Sequence, residues 1–334
     1  MTVSDISSKA TSSDARRTTL RLPGGAMLWV LLGLIIVAVI LSGGVFIRPS
    51  NLSTVLFQSS VIGVLALAQA FAIISRGIDL SIGATAILCA MVIGGASSTE
   101  DSFAPHLPLP LAILVGLMIG FAVGAVNGFI AGRFPVQPFI ITLAMYLIVV
   151  GATFLSTGAT PVTSPDPTIK QFGDGLIADV IPLPILGWVV MIAVGFVLLN
   201  KTKYGSMLYA VGDNETAARL SGVPVARVKL LVYGIAGMFA AVAGLLFLAR
   251  TGTVLPSDGS SFMLDSIAAV AVGGISLSGG RGRIRDVVYG VLILAVISNL
   301  MNILGVSVHL QTVVQGAIIL VAVAANLRLG KGRD

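Results

Sequence analysis

Charge is scarce in this chain, and cysteine and histidine are nearly absent: charged residues make up 10% of its 334 positions, with one cysteine and two histidines. A lone cysteine, Cys89, excludes a disulfide within the chain and a thiolate metal cluster. It sits in an apolar run and reads as a small buried hydrophobe. His106 and His309 fall in segments expected to face the outside, with no nucleophile, base and orienting group converging on either. No G-x-x-x-x-G-K-[ST] sequence occurs, so the chain has no P-loop for ATP. The GGISLSGG stretch at 273–280 resembles a phosphate loop, but it follows an apolar helix rather than a strand and lacks the Gly-Lys pair. These shortages point away from an enzyme and from any cofactor or metal.

What fills the chain instead is apolar. Hydrophobic residues are 56% of the sequence and the mean hydropathy is +1.02, more apolar surface than a water-soluble domain can hide. Ten runs have a length near the ~20 residues of a membrane-crossing helix: 26–47, 53–75, 80–97, 109–131, 136–157, 183–200, 229–249, 264–280, 287–305 and 310–327. With the N-terminus inside, all but three of the 20 Lys and Arg residues (Arg48, Lys170 and Arg250) lie in inside segments. This asymmetry predicts cytoplasmic termini and an even number of spans. The net charge of +6 is spread over short connecting loops, so it is topogenic and does not form a nucleic-acid patch.

The predicted organisation is therefore all-α and polytopic, with about ten transmembrane helices. Residues 1–25 read as a disordered tail, 26–327 as the membrane domain and 328–334 as a second cytoplasmic tail. The first run is too long for a signal-peptide core and reads as an uncleaved span. The halves are weakly alike: the stretch around Asn127 aligns with that around Asn299, and Ile78-Asp79-Leu80-Ser81-Ile82 with Leu264-Asp265-Ser266-Ile267. Spans two to five start on the opposite side from spans seven to ten, so such a repeat is inverted, and inverted repeats enclose a substrate path at their interface. Polar side chains inside the apolar runs mark that path: Gln58, Gln69, Asp79, Asn127, Thr142, Asp265, Asn299 and Asn302. A buried carboxylate in a membrane must pair or face a polar interior: Asp79 either caps the next helix, pairs with Arg76 three residues before it, or contacts cargo directly.

Two connecting segments carry further signals. In the inside segment from Lys201, Asn214 suits an N-cap, Glu215 a first turn, and Ala217 and Ala218 a helix interior; Gly222 suits a terminator. These residues, with Arg219, predict a short helix on the cytoplasmic face that needs a docking partner, because so short a helix is marginal alone. On the outside, 158–181 and 251–263 are the long loops, rich in Gly, Pro, Ser and Thr as adaptable contact surfaces are.

Four segments, RGIDLSIG at 76–83, NGFIAGRFPVQPFIITL from Asn127, KTKYGSMLYAVGDNETAARLSGVPVARVK from Lys201 and LDSIAAVAVGGISLSGGRGRI from Leu264, closely resemble the ribose-type permease family of bacterial ABC importers. With GVSVHLQTVVQGAIILVAV, the resemblance extends over about 45–327. Asp213 departs from the family, which commonly has Gly there, as does Arg285-Asp286, where small uncharged residues are usual. The resemblance implies a transport subunit in the bacterial inner membrane for a ribose-like sugar or polyol. Its partners would be ABC ATPase subunits on the cytoplasmic face, an extracytoplasmic sugar-binding protein and a second permease subunit, identical or related, with membrane lipid around them and no nucleic acid. ATP binding would move the helix at 214–222 and drive alternating access. The alternative is a secondary sugar transporter, in which Asp79 and Asp265 are the intramembrane carboxylates available to an ion.

Overall fold

The computed structural model describes residues 24–98, 103–164 and 166–330. The expected tails lie largely outside these limits. The main helices are α1 (Gly24–Leu41), α2 (Pro49–Ile74), α3 (Ile82–Ala96), α4 (Leu109–Arg133), α5 (Pro138–Thr157), α6 (Pro167–Asp174), α7 (Pro184–Asn200), α8 (Lys203–Asp213), α9 (Glu215–Leu220), α10 (Val225–Thr251), α11 (Gly259–Val272), α12 (Ile284–Ile303) and α13 (Val308–Gly330). Prolines occupy the first or second position of α2, α4, α5, α6 and α7, where the missing N–H costs nothing. Strands among the described residues are two-residue fragments: β1 (Val162–Thr163), β2 (Leu176–Ile177), β3 (Ile181–Pro182) and β4 (Thr253–Val254). β1 pairs antiparallel with β4, and β2 with β3.

Each of the ten apolar runs falls on a helix, but the helices are unequal. Five are long and apolar enough to cross a membrane: α2, α4, α5, α10 and α12. A sixth crossing exists if α7 and α8, bent by 73° at their junction, count as one broken span. α3, α11 and the apolar parts of α1 and α13 are shorter. The run at 264–280 is displaced: the helix opens at Gly259 and closes at Val272, and Gly273–Gly282 is a loop with left-handed glycines.

α2 and α10 form the centre of the bundle, and the packing around them repeats. α3 and α4 lie on α10 as α11 and α12 lie on α2; α3 meets α5 as α11 meets α13. Each central helix thus carries helices from the other half of the chain. α2 ends where α10 begins, at an end of the bundle that gathers Arg76, Arg133, Lys201, Lys203, Arg227, Lys229, Arg281 and Arg283; we call this the basic end. The two short helices meet N-terminus to N-terminus: a Cβ built on Gly83 would stand 2.4 Å from the carbonyl oxygen of Gly259, and one on Gly259 2.8 Å from that of Gly83. This contact sets a register for the two halves different from the one the sequence suggests. Gly83 pairs with Gly259, and Asp265 lies inside α11 while Asp79 precedes α3.

The most extensive helix contact among the described residues is α4 against α10. Glycines recur every fourth residue along α4, at 116, 120, 124, 128 and 132, so they form one stripe on the helix. Four of them run antiparallel down α10, Gly132 against Ala226, Gly128 against Lys229, Gly124 against Tyr233 and Gly120 against Gly237. Small residues let backbones approach in this way where a lipid surround offers no hydrophobic drive between helices. The outward faces, by contrast, are uncovered: Leu147 is 63% and Leu155 86% exposed on α5, and Leu320 73% on α13. Apolar belts of this kind require lipid or another protein rather than water.

Candidate functional site

The eight polar residues expected along the path separate into three groups. Gln58, Asp265 and Asn302 line one cavity of about 330 Å³, formed by α2, α10, α11, α12 and α13 in the half of the bundle away from the basic end. Ser298, Gln311 and Gln315 add polar atoms to its wall, and Phe57, Phe247 and Phe262 add aromatic surface. The Gln315 side chain donates to the Asp265 carboxylate, and Gln311 Nε2 donates to Asn302 Oδ1 at 2.8 Å. Phe247 and Phe262 meet edge to face, 5.1 Å between ring centroids. Gln311, Gln315 and Ser298 were not among the residues read from sequence. Their spacing in α13 (i, i+4) puts both glutamines on one helix face and could have marked them.

At the mouth, the Arg250 guanidinium lies 5.6 Å over the Phe57 ring and pairs with Asp174 of α6 at 3.3 Å. Thr163 and Thr253, facing each other at 3.0 Å across the β1–β4 pair, stand beside it. The two long connecting loops are therefore joined to each other and, through Arg250, to an aromatic wall of the cavity.

The second group is a closed knot at the break between α2 and α3. Asp79 accepts from the Ser81 N–H at 2.9 Å and from the Ser81 hydroxyl at 2.6 Å. Asn127 Nδ2 donates to Ser81 Oγ at 2.9 Å, and Thr142 Oγ1 donates to the Ile78 carbonyl at 2.9 Å. The Gln69 amide, oriented to satisfy both of its ends, donates to the Asp79 carbonyl at 2.9 Å and accepts from its N–H at 3.3 Å. These groups supply the partners that non-helical backbone needs inside an apolar body. Gln69, Asp79, Asn127 and Thr142 are buried and do not line the cavity. Asp79 does not pair with Arg76, whose guanidinium turns the other way, onto the carbonyls of Asp213 and Ser278.

Asn299 stands alone as the third. It exchanges two hydrogen bonds with Asn51, at 2.9 and 2.8 Å, tying α12 to the start of α2. It also lies outside the cavity wall.

At the basic end the segment from Lys201 holds two helices rather than one isolated helix. α8 is amphipathic and buries Leu208 and Val211 against the core; Gly212 lies so close that a Cβ would stand 1.8 Å from the Ile74 carbonyl oxygen. α9 begins as read: Asn214 Oδ1 accepts from the Ala217 N–H at 3.0 Å. Its carboxylate, however, is engaged within the chain. Glu215 pairs with Lys229 at 2.6 Å and with Arg219 at 3.1 Å, and Ala218 is buried against the hydrophobic core of the bundle. The outward face consists of Thr216, Ala217, Arg219 and Leu220, and Gly222, with φ +82°, turns the chain toward α10.

Burial tends to raise the Glu215 pKa, but the hydrogen bonds and charges of Lys229 and Arg219 outweigh it and leave the carboxyl below its ordinary 4.5. A depressed carboxylate stabilises the fold above its unfolded pKa, and that contribution is lost as pH falls through the folded value. Glu215→Gln is therefore expected to melt lower at neutral pH. The loss is about 2–3 kcal/mol, since Lys229 remains buried without its partner while partial exposure of Glu215 moderates the effect. The gap from the unmodified protein should narrow below pH 4.5, as thermal unfolding in detergent across pH will measure; a gap independent of pH would remove the ion pair from the account.

Residues 51–323 match the family described as branched-chain amino acid transport system / permease component. The chain belongs to this permease family. It is 39% identical over 297 residues to the ribose import permease protein RbsC of Bacillus subtilis, covering 87% of this chain and 90% of the relative. Against the galactose/methyl galactoside import permease protein MglC of Salmonella typhimurium it is 37% identical, covering 90% and 93%. Against the fructose import permease protein FrcC of Rhizobium meliloti it is 33% identical, covering 89% and 83%. No solved structure matches. Family membership and the uncovered apolar helices make this permease a multi-pass membrane protein.

Proposed function

We propose that this permease is the membrane-spanning subunit of an ATP-driven importer that carries a monosaccharide from an external binding protein to the cytoplasm. The observation that carries the reading is the cavity. It joins amide, carboxylate and hydroxyl groups to aromatic faces inside an otherwise apolar body, the mixture that a hydroxyl-rich ring with apolar faces requires, and its volume lies at the lower end of ordinary ligand pockets. Relatives named for import of ribose, galactose and fructose support the same class of cargo.

On this reading the basic end faces the cytoplasm, in keeping with the positive-inside rule. Among the ten apolar helices, α2 to α5 and α10 to α13 form two inverted halves, a relation favoured by the repeated packing about α2 and α10. The end carrying β1, β4 and Arg250 faces the binding protein, and α9 meets the ATPase. A second permease subunit completes the assembly in the bacterial inner membrane. Alternating access then consists of moving the two short helices, α3 and α11, which meet end to end.

The test is reconstitution. Complexes of the permease with its ATPase subunits, in vesicles with binding protein outside and ATP inside, should accumulate labelled ribose, galactose or fructose, and permease alone should not. Uptake by permease alone down an ion gradient would instead establish secondary transport. Within the working complex, Gln58→Leu should raise the KM for uptake about tenfold, the effect of removing one hydrogen-bonding partner of about 1–1.5 kcal/mol. Assembly should remain normal, and an unchanged KM would remove Gln58 from the path.

A further inference from the structure

Arg76 is one of four non-glycine residues with positive φ among those described, at +67°, and it sits immediately after α2, where the helix gives way to the break before α3. A side chain in the left-handed region is strained and persists only where its surroundings hold it. What holds it here is the cap of α2, in which the Arg76 N–H donates to the Ile73 carbonyl and the Gly77 N–H to the Ala72 carbonyl, both at 2.9 Å; the guanidinium reaches away from that cap to two other segments. Nε donates to the Ser278 carbonyl at 3.1 Å and Nη2 to the Asp213 carbonyl at 3.0 Å. Those acceptors belong to segments far apart in the chain: Asp213 closes α8 and directly precedes the cap of α9, and Ser278 lies in the glycine loop between α11 and α12. Around this fork the three segments are locked together. The Gly280 N–H donates to the Ile74 carbonyl at 2.9 Å, Tyr209 donates to the Gly282 carbonyl at 2.8 Å, and Gly279, at φ +85°, leaves no room for a Cβ against Arg76.

We propose that Arg76 is the positioning residue through which motion of α9 reaches both short helices, α3 by the break it opens and α11 by the loop it grips. This rests on the importer reading. The geometry favours transmission because the three segments that meet at one side chain lead to three different places: α9 to the ATPase, α3 to the Asp79 knot, and α11 to the cavity wall at Asp265. No ion pair involves Arg76 among the described residues. Its value is the planar fork, which can face two carbonyls in fixed directions; a lysine, a single point charge, cannot.

Arg76→Gly and Arg76→Lys separate coupling from fold. Glycine removes both donors but relieves the left-handed strain, so it tests transmission without penalising the backbone. Lysine keeps the charge and loses the fork. Both are to be purified with their ATPase subunits, melted, and assayed in vesicles with binding protein for ATP hydrolysed per ribose, galactose or fructose taken up. The expected result is an assembled complex with hydrolysis retained, Arg76→Gly melting where the unmodified complex does, and ATP consumed per sugar rising about tenfold or more, within the usual range of coupling between sites. Unmodified stoichiometry in either variant overturns the proposal. Loss of assembly or of melting temperature in both, with stoichiometry intact in what remains, makes Arg76 a structural staple and overturns it as well. If the unmodified complex takes up none of the three sugars in the presence of ATP, the importer reading fails, and this inference with it.

Discussion

A leucine at position 124 is expected to leave no folded permease in the membrane. A Cβ at Gly124 would stand 1.9 Å from the Tyr233 carbonyl oxygen, and the obstacle is backbone, which cannot rotate aside as a side chain can. Gly120 and Gly237 face each other in the same way, at 2.4 and 1.9 Å. A bulky residue at 124 must therefore push α4 off α10 along their shared length. Overpacking an ordinary core costs about 1–3 kcal/mol; separating a pair held by close backbone approach should exceed the upper figure. Size-exclusion profiles of detergent extracts will read this as loss of the monodisperse peak, with Gly124→Ala intermediate. Gly151→Leu is the control, because α5 is open there and nothing lies within 4 Å. A monodisperse Gly124→Leu would mean that the α4–α10 contact is looser than described.

That stripe was legible and went unread. Hydropathy is a property of neighbours in sequence, so the ten apolar runs appeared without the structure, and the cap of α9 appeared for the same reason: Asn214 acts on Ala217, three residues away. A period of four in glycine is equally local. What could not be read from local pattern is pairing across the chain. Asn299 bonds Asn51, 248 residues distant, and nothing in either run distinguishes that tie from a group lining a path. Likewise Gln69, Asp79, Asn127 and Thr142 look like cargo contacts in one dimension and form a knot in three. Gln58, Asp265 and Asn302 share a wall because α2, α11 and α12 converge, a fact of topology. The internal register failed differently. Apolar sequence is degenerate enough that Asp79 and Asp265 align by composition, whereas the helix starts pair Gly83 with Gly259. α8 is not legible as an apolar run because it is amphipathic and carries Gly205 and Gly212 within it, and its bend from α7 breaks the continuous apolar length.

If α9 meets an ATPase as proposed, replacing Leu220 with aspartate is expected to detach that ATPase while leaving the permease intact. α9 is fastened from beneath by Ala218 in the core and by Glu215 on Lys229, so it behaves as a rigid feature of the surface despite having only six residues. Its outward side carries Leu220 at 84% exposure, beside Thr216 and Ala217. A leucine held in that position gains by being covered, about 1.5–3 kcal/mol for full burial. Aspartate forfeits that gain and would leave an unpaired charge in the contact, for a total of about 2–5 kcal/mol. Co-purification of the ATPase should then fail and uptake with it, while Leu220→Ala weakens association by a smaller step. Melting of the permease alone should not change, because the side chain projects from the surface. Ala218→Glu should give the opposite pattern: its side chain points into this chain, so the permease itself melts lower before any partner is added. Leu220→Asp that binds ATPase and transports like the unmodified protein would show that α9 does not meet the ATPase by this face.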